Sequence, residues 1–489
     1  MKTRRFTQLT TQVVRDVDTA LGCFIKLNAN ERQCFLFESI QGGENWARYS
    51  FIGLPAREYF TLRGHLLSHY RDGECLETRR VDDPLDEIQR LQASFVIHQA
   101  EDLPRFSGGL VGYFGYECVR FVEPRLAALP EREDQIGAPD IYLMLCTELV
   151  VYDNLSNQVQ IICHYEGEGE AQRKTAQQRL VEIACLLEQP LALPSLIPPI
   201  ETNLDAHLSA LKGDDYMQAV ERCREYILAG DVFQVVPSSR ATLPFSSDTT
   251  KLYRALRLVS PSPYMYYLRL NGLDIVGASP ETMVRLEDGM LTVRPIAGTA
   301  QRGATREEDE RLATALLADP KERAEHNMLV DLARNDLGRI GAPGSVEVSQ
   351  YMQVEHFSHV MHLVSTVNAR LAEGLGAIDA LRATLPAGTL SGAPKIRAME
   401  IINELEPYKR GVYSGAVGYL DWRGNLDTAI PIRTFVIADG KAHIQAGGGI
   451  VADSDPHKEW KETLNKRRAL FKALALVEQG CDSKAYSTA

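Results

Sequence analysis

Two dipeptides in the second half of the chain, Asn271-Gly272 and Asp288-Gly289, constrain the fold more than any other feature. Both are typical of two-residue β-hairpin turns, because Asn, Asp and Gly accept the positive φ angles that such turns require. Short apolar or alternating segments flank each dipeptide and predict paired antiparallel strands. Segments with helical periodicity are interspersed among these hairpins. The pattern predicts an α+β fold with antiparallel sheets and flanking helices, and it argues against a β-α-β series.

A proline-rich segment divides the chain. Four prolines lie between Glu188 and Glu201, where they remove backbone donors and block helix formation. We predict a linker over residues 191–204. It would separate an N-terminal domain, residues 1–190, from a second domain, residues 205–480, which is followed by a tail over residues 481–489. A chain of 489 residues suits two large domains.

Composition excludes several classes of protein. The formal net charge is −12, so no broad basic surface is available for nucleic acid. No run of 18 apolar residues without charge is present, which predicts that the chain does not cross a membrane. The start of the chain has no apolar stretch typical of a signal peptide. Nine cysteines, an odd number without a C-x-x-C pair, indicate reduced thiols and a cytoplasmic location.

Two pairs of glutamates repeat the same spacing on segments with helical periodicity. Glu322 and Glu325 form one pair, and Glu459 and Glu462 form the other. A spacing of three places both carboxylates of a pair on one face of a helix. Four converging carboxylates would repel one another unless a hard cation neutralised them, and Mg²⁺ prefers such oxygen ligands. The alternative, which spacing alone favours, is ordinary surface charge.

Glycine-rich segments suggest two anion sites. Gly447, Gly448 and Gly449 follow a strand-like segment, and their backbone N–H groups could approach an anion closely. The alternative is a bulge or a tight turn. The segment Gly388–Met399 predicts a helix whose N-terminus, beside Thr389, could hold a carboxylate. The alternative there is a plain helix cap.

Three histidines, His356, His359 and His362, resemble a metal triad at first sight. Their spacing spreads them over both faces of a strand or over about 120° of a helix, and no H-E-x-x-H motif is present. An acid–base role for a single imidazole is the better functional interpretation, and a buried core histidine is the alternative. The sequence also lacks a G-x-S-x-G motif and a Gly-x-Cys-x-Gly motif, which argues against a serine-hydrolase or amidotransferase nucleophile on this chain.

Four longer motifs, in this order, resemble those of the chorismate-utilising enzymes: Pro295–Thr299, Ala324–Asp336, Leu385–Lys395 and Ala446–Val451. The resemblance extends from Phe37 to Lys466 and is strongest to the branch that forms anthranilate. It implies antiparallel sheets packed in a sandwich-like core. It also implies a Mg²⁺-dependent lyase that converts chorismate and ammonia to anthranilate and pyruvate, the first step of tryptophan biosynthesis.

The resemblance assigns a role to each candidate residue. It implies Mg²⁺ ligation by the four glutamates, with Glu325 and Glu462 as the direct ligands and with Glu322 and Glu459 partly acting through water. It implies catalytic roles for Glu281, which would protonate the departing 4-hydroxyl, and for His362 and Thr389. The residues that it implies in substrate binding are Gly298, Thr299, Tyr413, Arg433, Gly447, Gly448, Gly449 and Lys466.

Two positions indicate which nucleophile the enzyme uses. Ala297 stands where aminodeoxychorismate synthases carry an attacking lysine, and Gln234 stands where isochorismate and salicylate synthases carry a lysine that activates water. Alanine has no nucleophile and glutamine is no base, which favours direct attack by ammonia. The resemblance therefore implies a separate glutamine amidotransferase subunit as the ammonia source, and a hetero-oligomer.

The family also has a tryptophan feedback site. The residues of this chain that match it are Ser39, in the N-terminal part, and Pro263, Tyr264 and Met265. Two other functions stay open on the sequence: an enzyme of the same family that stops at aminodeoxyisochorismate, and a non-catalytic protein that binds tryptophan.

Overall fold

The computed structural model describes residues 3–40, 48–98, 104–191, 208, 211–356 and 360–479. The helices in these ranges are α1 (Ala20–Asn28), α2 (Pro84–Ala93), α3 (Pro124–Ala127), α4 (Glu170–Glu188), α5 (Asp214–Leu228), α6 (Thr249–Val259), α7 (Arg306–Ala318), α8 (Pro320–Gly338), α9 (Ala377–Thr384), α10 (Lys395–Leu405) and α11 (Pro456–Gln479). Two 3₁₀ turns cover Tyr116–Phe121 and Gly388–Leu390. No helix of the described residues is both long enough and apolar enough to span a bilayer.

The strands of the first half are β1 (Arg4–Val14), β2 (Gln33–Glu38), β3 (Tyr49–Gly53), β4 (Glu58–Arg63), β5 (Leu66–Arg71), β6 (Glu74–Arg80), β7 (Phe95–His98), β8 (Gly109–Phe114), β9 (Ile141–Cys146), β10 (Glu148–Asp153) and β11 (Gln158–Glu166). Those of the second half are β12 (Gln234–Val235), β13 (Ser238–Pro244), β14 (Tyr264–Leu270), β15 (Leu273–Ser279), β16 (Thr282–Glu287), β17 (Met290–Val293), β18 (Ile296–Gln301), β19 (Glu347–His356), β20 (Val360–Arg370), β21 (Gly392–Ala393), β22 (Ala416–Asp421), β23 (Leu426–Ala429), β24 (Thr434–Ala438) and β25 (Lys441–Gly447).

Two large sheets contain nearly all of these strands. One has the order β13-β25-β24-β15-β14-β2-β3-β10-β11-β1-β7, and the other has the order β18-β20-β17-β16-β23-β22-β8-β9-β4-β5-β6, with β19 paired to β20. Strands β12 and β21 form a separate two-stranded ribbon. Among the described strands, every pairing is antiparallel except that of β1 with β7. The predicted α+β fold with antiparallel sheets is confirmed.

Both predicted hairpin turns are present. Strands β14 and β15 meet at Asn271 and Gly272, whose φ angles are 52° and 102°, and β16 and β17 meet at Asp288 and Gly289, with 49° and 81°. Two successive residues at positive φ match the right-handed twist of the flanking strands. Each hairpin fixes the register of its own two strands, and further strands of the same sheet pair with them.

The two sheets pack face to face around an aromatic core. Its members come from both sheets and include Phe35, Phe51, Tyr113, Tyr142, Tyr266 and Tyr419. Helices α1, α4, α6 and α11 cover the outer face of the first sheet, and α2, α8 and α9 cover that of the second. The result is a helix–sheet–sheet–helix arrangement, which agrees with the sandwich-like core implied by the resemblance.

Both halves of the chain contribute to each sheet. Strand β2 of the first half pairs with β14 of the second, and β8 pairs with β22. Most of the predicted linker, residues 191–204, lies outside the described residues. The proposed domain division therefore stays a prediction, while the strand order shows that the hydrogen-bonded sheets cross it.

A buried ion pair joins the segments that surround the later site. Arg410 and Glu406 are only 2% and 4% exposed, and their side chains approach to 2.6 Å. Arg410 also donates to the backbone carbonyls of Leu390, at 2.7 Å, and Val236, at 2.8 Å. Glu406 accepts from the backbone N–H and the hydroxyl of Ser238. One pair thus holds the 3₁₀ turn at residue 390, the end of the β12 segment and the start of β13.

We expect Glu406→Gln to lower the free energy of unfolding by roughly 3 kcal/mol, because it leaves the Arg410 charge buried without a counter-ion. Glu310→Gln is the control, since Glu310 pairs with Arg306 on the surface and its loss should cost less than about 1 kcal/mol. Urea unfolding of both variants measures the difference. Equal, small effects would contradict the role given to the buried pair.

Candidate functional site

Glu281 is a buried carboxyl held in a fixed position between β15 and β16. Its backbone carbonyl accepts from the N–H of Ile430, and the Thr389 hydroxyl donates to its Oε1 at 2.8 Å. The residue is 9% exposed, and this burial raises its pKa to about 7. The hydrogen bond from Thr389 and the charge of Arg433 act in the opposite direction. Glu281 can therefore be protonated close to neutral pH.

His362 lies on β20 opposite a bulge in β18. The bulge falls between Ala297 and Thr299, where Gly298 takes a φ of 64°, and it places the Gly298 carbonyl 3.0 Å from His362 Nδ1. A carbonyl only accepts, so Nδ1 carries the hydrogen. Burial lowers the pKa of His362, and the imidazole is therefore neutral, with Nε2 as an acceptor.

Helices α8 and α11 bring the two glutamate pairs together. Burial raises the pKa of Glu325, and the neighbouring charges of Glu322 and Glu462 raise it further. Burial also raises the pKa of Glu459, with a contribution from Glu462 in the same direction. The charge of Glu462, on α11, acts on Glu325, on α8, so the two helices lie close together at these residues. The convergence predicted from the sequence is therefore present, and the carboxylates repel one another.

Lys466 supplies a positive charge within this cluster. Its ammonium lies 2.8 Å from Glu462 Oε1 and 2.9 Å from the carbonyl of Gly447. Among the described residues, no three His, Cys, Asp or Glu side chains are close enough to hold a metal ion. The donor set suits Mg²⁺ chemically, since it consists of carboxylate oxygens. To bind a cation, these side chains would have to turn toward one another. Glu462 would also have to release Lys466 and contact the cation instead.

Gly447, the last residue of β25, and the two glycines that follow it form one wall of the site. A Cβ on Gly447 would lie 2.3 Å from the carbonyl of Pro237, so only glycine fits there. The corresponding point on Gly448 lies 3.2 Å from Glu459 Oε2, and that on Gly449 lies 2.4 Å from Gln234 Nε2. The glycine wall thus adjoins a carboxylate of α11 on one side and the buried amide of Gln234 on the other.

The remaining predicted residues border the same region. Tyr413 is buried, which raises its pKa to about 12. Arg433 takes a φ of 50°, and its charge acts on both Glu281 and His362. Ala297 is buried on β18. Thr299 pairs with His362 through the backbone, and its side chain lies outside the described part of the structure.

A second cavity, of about 480 Å³, brings together all four predicted effector residues: Ser39, Pro263, Tyr264 and Met265. Its other lining includes aromatic rings, the cations of Arg105 and Arg285 and the carboxylate of Asp427. The Tyr264 hydroxyl donates to Asp427 at 2.9 Å and accepts from the Thr282 hydroxyl at 3.1 Å. Thr282 directly follows Glu281, so the cavity is connected to the buried acid by a short path.

Sequence reasoning missed several of these groups. Arg105, Arg285 and Asp427 line the cavity from distant parts of the chain, and no short motif marks them. Tyr216 is buried on α5 and its hydroxyl lies near Gly448. It shares an apolar stripe with Val220, which made it resemble an ordinary core residue. Only the fold reveals that its polar end reaches the glycine wall.

Comparison with known proteins gives consistent results. The family model described as chorismate binding enzyme matches residues 59–472. Anthranilate synthase component 1 of Pseudomonas putida is 51% identical over 474 residues, covering 96% of each chain. The crystal structure of anthranilate synthase component I from Streptococcus pneumoniae is 36% identical, with a TM-score of 0.74, and covers 94% of this chain and 99% of that one.

A more distant structure shows the fold alone. The menaquinone-specific isochorismate synthase of Escherichia coli is 20% identical, with a TM-score of 0.71 over 97% of this chain and 95% of the other. The shared fold at this low identity indicates that the two large sheets are common to both proteins.

We expect the Glu281 carboxyl to titrate near pH 7, because burial favours its neutral form. Its infrared carboxyl band should then fade as the pH rises through about 7, and Glu281→Gln should remove that band from the difference spectrum. Thr389→Val removes a hydrogen bond that lowers the pKa, so the transition should move to higher pH. A transition at ordinary glutamate values, unaffected by Thr389→Val, would contradict the assignment.

Proposed function

The chain belongs to the family of chorismate-binding enzymes, within its anthranilate synthase component 1 branch, and from this premise we propose that it converts chorismate and ammonia to anthranilate, pyruvate and water. One observation carries the proposal: Glu281, a buried acid with a pKa of about 7, is held by Thr389 beside the charge of Arg433. A general acid with a pKa near the working pH is suited to protonating a leaving hydroxyl.

The proposed reaction has two steps. In the first, ammonia forms a bond to ring carbon 2, both ring double bonds shift, and the bond from carbon 4 to its hydroxyl breaks. Glu281 donates its proton to that hydroxyl, which leaves as water. In the second step, carbon 2 loses a proton and the enolpyruvyl group leaves carbon 3 as pyruvate, which makes the ring aromatic. His362 Nε2 is suited to accept that proton, because Nδ1 is held by Gly298.

The choice of nucleophile rests on two side chains. Gln234 presents an amide beside the glycine wall, and an amide does not deprotonate water. Ala297 presents a methyl group, so no covalent route through this position is available. Both residues support ammonia as the attacking group.

We propose Mg²⁺ as the resident cation, with Glu325 and Glu462 as direct ligands and Glu322 and Glu459 acting partly through water. The mutual repulsion that raises the pKa of Glu325 supports this, since a cation would relieve it. When bound, Mg²⁺ would neutralise the carboxylates and attract the ring carboxylate of the substrate.

The protein's own donors would fix the two carboxylates of chorismate. Backbone N–H groups of Gly447, Gly448 and Gly449, with the ammonium of Lys466, are proposed to hold the ring carboxylate. Tyr413 and Arg433 are proposed to hold the enolpyruvyl carboxylate, for which guanidinium offers a planar fork. Gly298 and Thr299 would border the ring.

We further propose a glutamine amidotransferase partner, the component 2 that the relatives' names imply. The chain would then act within a hetero-oligomer in the cytoplasm. The eight cysteines of the described residues are all free, which agrees with a reducing location.

Tryptophan is proposed to bind the cavity that Ser39 and Tyr264 line. The cavity offers aromatic walls for an indole ring and both signs of charge for an amino acid, including an Arg105 Nε without an acceptor among the described residues. Inhibition requires that tryptophan bind more tightly to a form that handles chorismate poorly. The bond between Tyr264 and Thr282 gives a direct route from the cavity to Glu281.

We expect the purified chain to form anthranilate and pyruvate in equal amounts from chorismate and an ammonium salt at mildly alkaline pH, while glutamine alone supports no turnover. Anthranilate fluorescence and a coupled pyruvate assay measure the two products. Glu281→Gln should abolish turnover, and Glu287→Gln on the adjoining strand is the control. An aminated product that keeps its enolpyruvyl group would support the aminodeoxyisochorismate alternative, and no consumption of chorismate would support a non-catalytic protein that binds tryptophan.

We expect Glu325→Gln to weaken Mg²⁺ binding by about tenfold or more, because it removes a charged ligand. Calorimetry with Mg²⁺ and the chain alone measures this without turnover. Asp331→Asn is the control, since Asp331 lies exposed on the same helix and pairs with Arg334. Unchanged Mg²⁺ affinity in Glu325→Gln would contradict the metal assignment.

We expect Ser39→Phe to abolish inhibition by tryptophan and to leave turnover in its absence near that of the parent chain, because the larger side chain fills the cavity. Inhibition curves with and without tryptophan provide the measurement. Ser156→Phe, in the exposed turn between β10 and β11, is the matched control. Retained inhibition in Ser39→Phe would place the effector elsewhere.

A further inference from the structure

Tyr216 has a buried hydroxyl whose hydrogen finds no acceptor among the described residues. The residue lies in the first turn of α5 and is 4% exposed. Its ring packs against Trp460, at 5.9 Å between ring centres, and on the core formed with Val220 and Val235. The backbone N–H of Gly448 interacts with its oxygen, and no described residue accepts its hydrogen. Buried polar groups are nearly always hydrogen-bonded, so this one needs an acceptor from another source.

The hydroxyl faces the glycine wall of the candidate site. The ideal Cβ position of Gly448 lies 3.4 Å from the Tyr216 oxygen, 3.2 Å from Glu459 Oε2 and 3.9 Å from Glu462 Oε1. Tyr216 and two of the four carboxylates therefore converge on the open side of one glycine. Neither carboxylate is hydrogen-bonded to the tyrosine.

Tyr216 acts here as a donor. Burial raises the pKa of its phenol far above the ordinary value, and the charge of Glu459 contributes in the same direction. The phenol thus keeps its hydrogen throughout the physiological range. A neutral donor can bind an anion without adding charge to the site.

We propose that Tyr216 is a further substrate-positioning residue, whose hydroxyl donates a hydrogen bond to the ring carboxylate of chorismate beside Gly448. The inference rests on the proposed function, which places that carboxylate at the glycine wall. The glutamates on α8 and α11 repel an incoming anion, so hydrogen-bond donors are needed to offset them. The Lys466 ammonium, on α11 itself, is one such donor, and it bonds the Gly447 carbonyl. The Tyr216 hydroxyl, on α5, is another, and it lies beside the next glycine.

Tyr216→Phe tests the proposal, because it removes only the hydroxyl and keeps the ring against Trp460. Tyr226→Phe is the matched control on the same helix, where the hydroxyl bonds Glu404 at the surface. Three measurements apply to both variants: KM and kcat for chorismate, the calorimetric Kd of chorismate in ammonium-free buffer with Mg²⁺, and the calorimetric Kd of Mg²⁺ alone.

For Tyr216→Phe we expect KM and the Kd of chorismate to rise about tenfold, as for loss of a hydrogen bond to a charged group. The rise in KM should exceed the fall in kcat, the Kd of Mg²⁺ should stay unchanged, and Tm should stay close to that of the parent chain, since no described residue accepts the hydrogen of this hydroxyl. Tyr226→Phe should change none of the chorismate or Mg²⁺ values.

Three results would overturn the proposal: an unchanged Kd of chorismate, a weaker Mg²⁺ affinity that accounts for the whole effect, or a lowered Tm that reveals a structural role. Its failure can be told apart from failure of the proposed function. If the parent chain binds chorismate without turning it over, weaker binding by Tyr216→Phe still supports the positioning role. If the parent chain binds no chorismate, both fail.

Discussion

Everything in the site depends on one charge that has been taken out of water. The guanidinium of Arg410 is almost completely buried, and its acceptors belong to segments that surround the site: Glu406, Leu390, Val236 and Ser414. A buried charge tolerates no loss of partners, because the desolvation cost is already present. The 3₁₀ turn that carries Thr389 and the ribbon that carries Gln234 are therefore held together as one unit, and Glu281 is held in turn through Thr389.

The site sets opposing charges at close range without neutralising them fully. Burial raises the pKa of Glu281, and the charge of Arg433 lowers it. The resulting pKa is about 7. The glutamates of α8 and α11 repel one another, and Lys466 offsets only part of that repulsion. A cation bound among the glutamates, as proposed above, would reduce that repulsion.

Much of this could be predicted from the sequence, for physical reasons that differ between elements. The hairpins were predictable because Asn271-Gly272 and Asp288-Gly289 adopt their turn with no help from the rest of the chain. Glu325 and Thr389 could be proposed as site residues because they lie in long motifs, whereas Glu281 and Arg433 lie outside the four motifs and rest on the wider resemblance. The pairing of β2 with β14 was not, since nothing local specifies contacts across more than 200 residues. Tyr216 and Arg105 were missed for the same reason, because their roles arise only from tertiary neighbours.

The shared sheets also limit how the proposed effector site can be altered or lost. Strand β2, which leads to Ser39, lies between β3 and β14 in the interior of the first sheet, and β14 carries Tyr264 and Met265. Deleting the first half of the chain would leave unpaired strand edges and an exposed aromatic core, so the cavity that Ser39 lines cannot be lost as a separate module. If tryptophan binds this cavity as proposed, variants insensitive to it should arise by substitution of the side chains that line the cavity. Chains that lack the first half are not expected to stay folded and retain turnover.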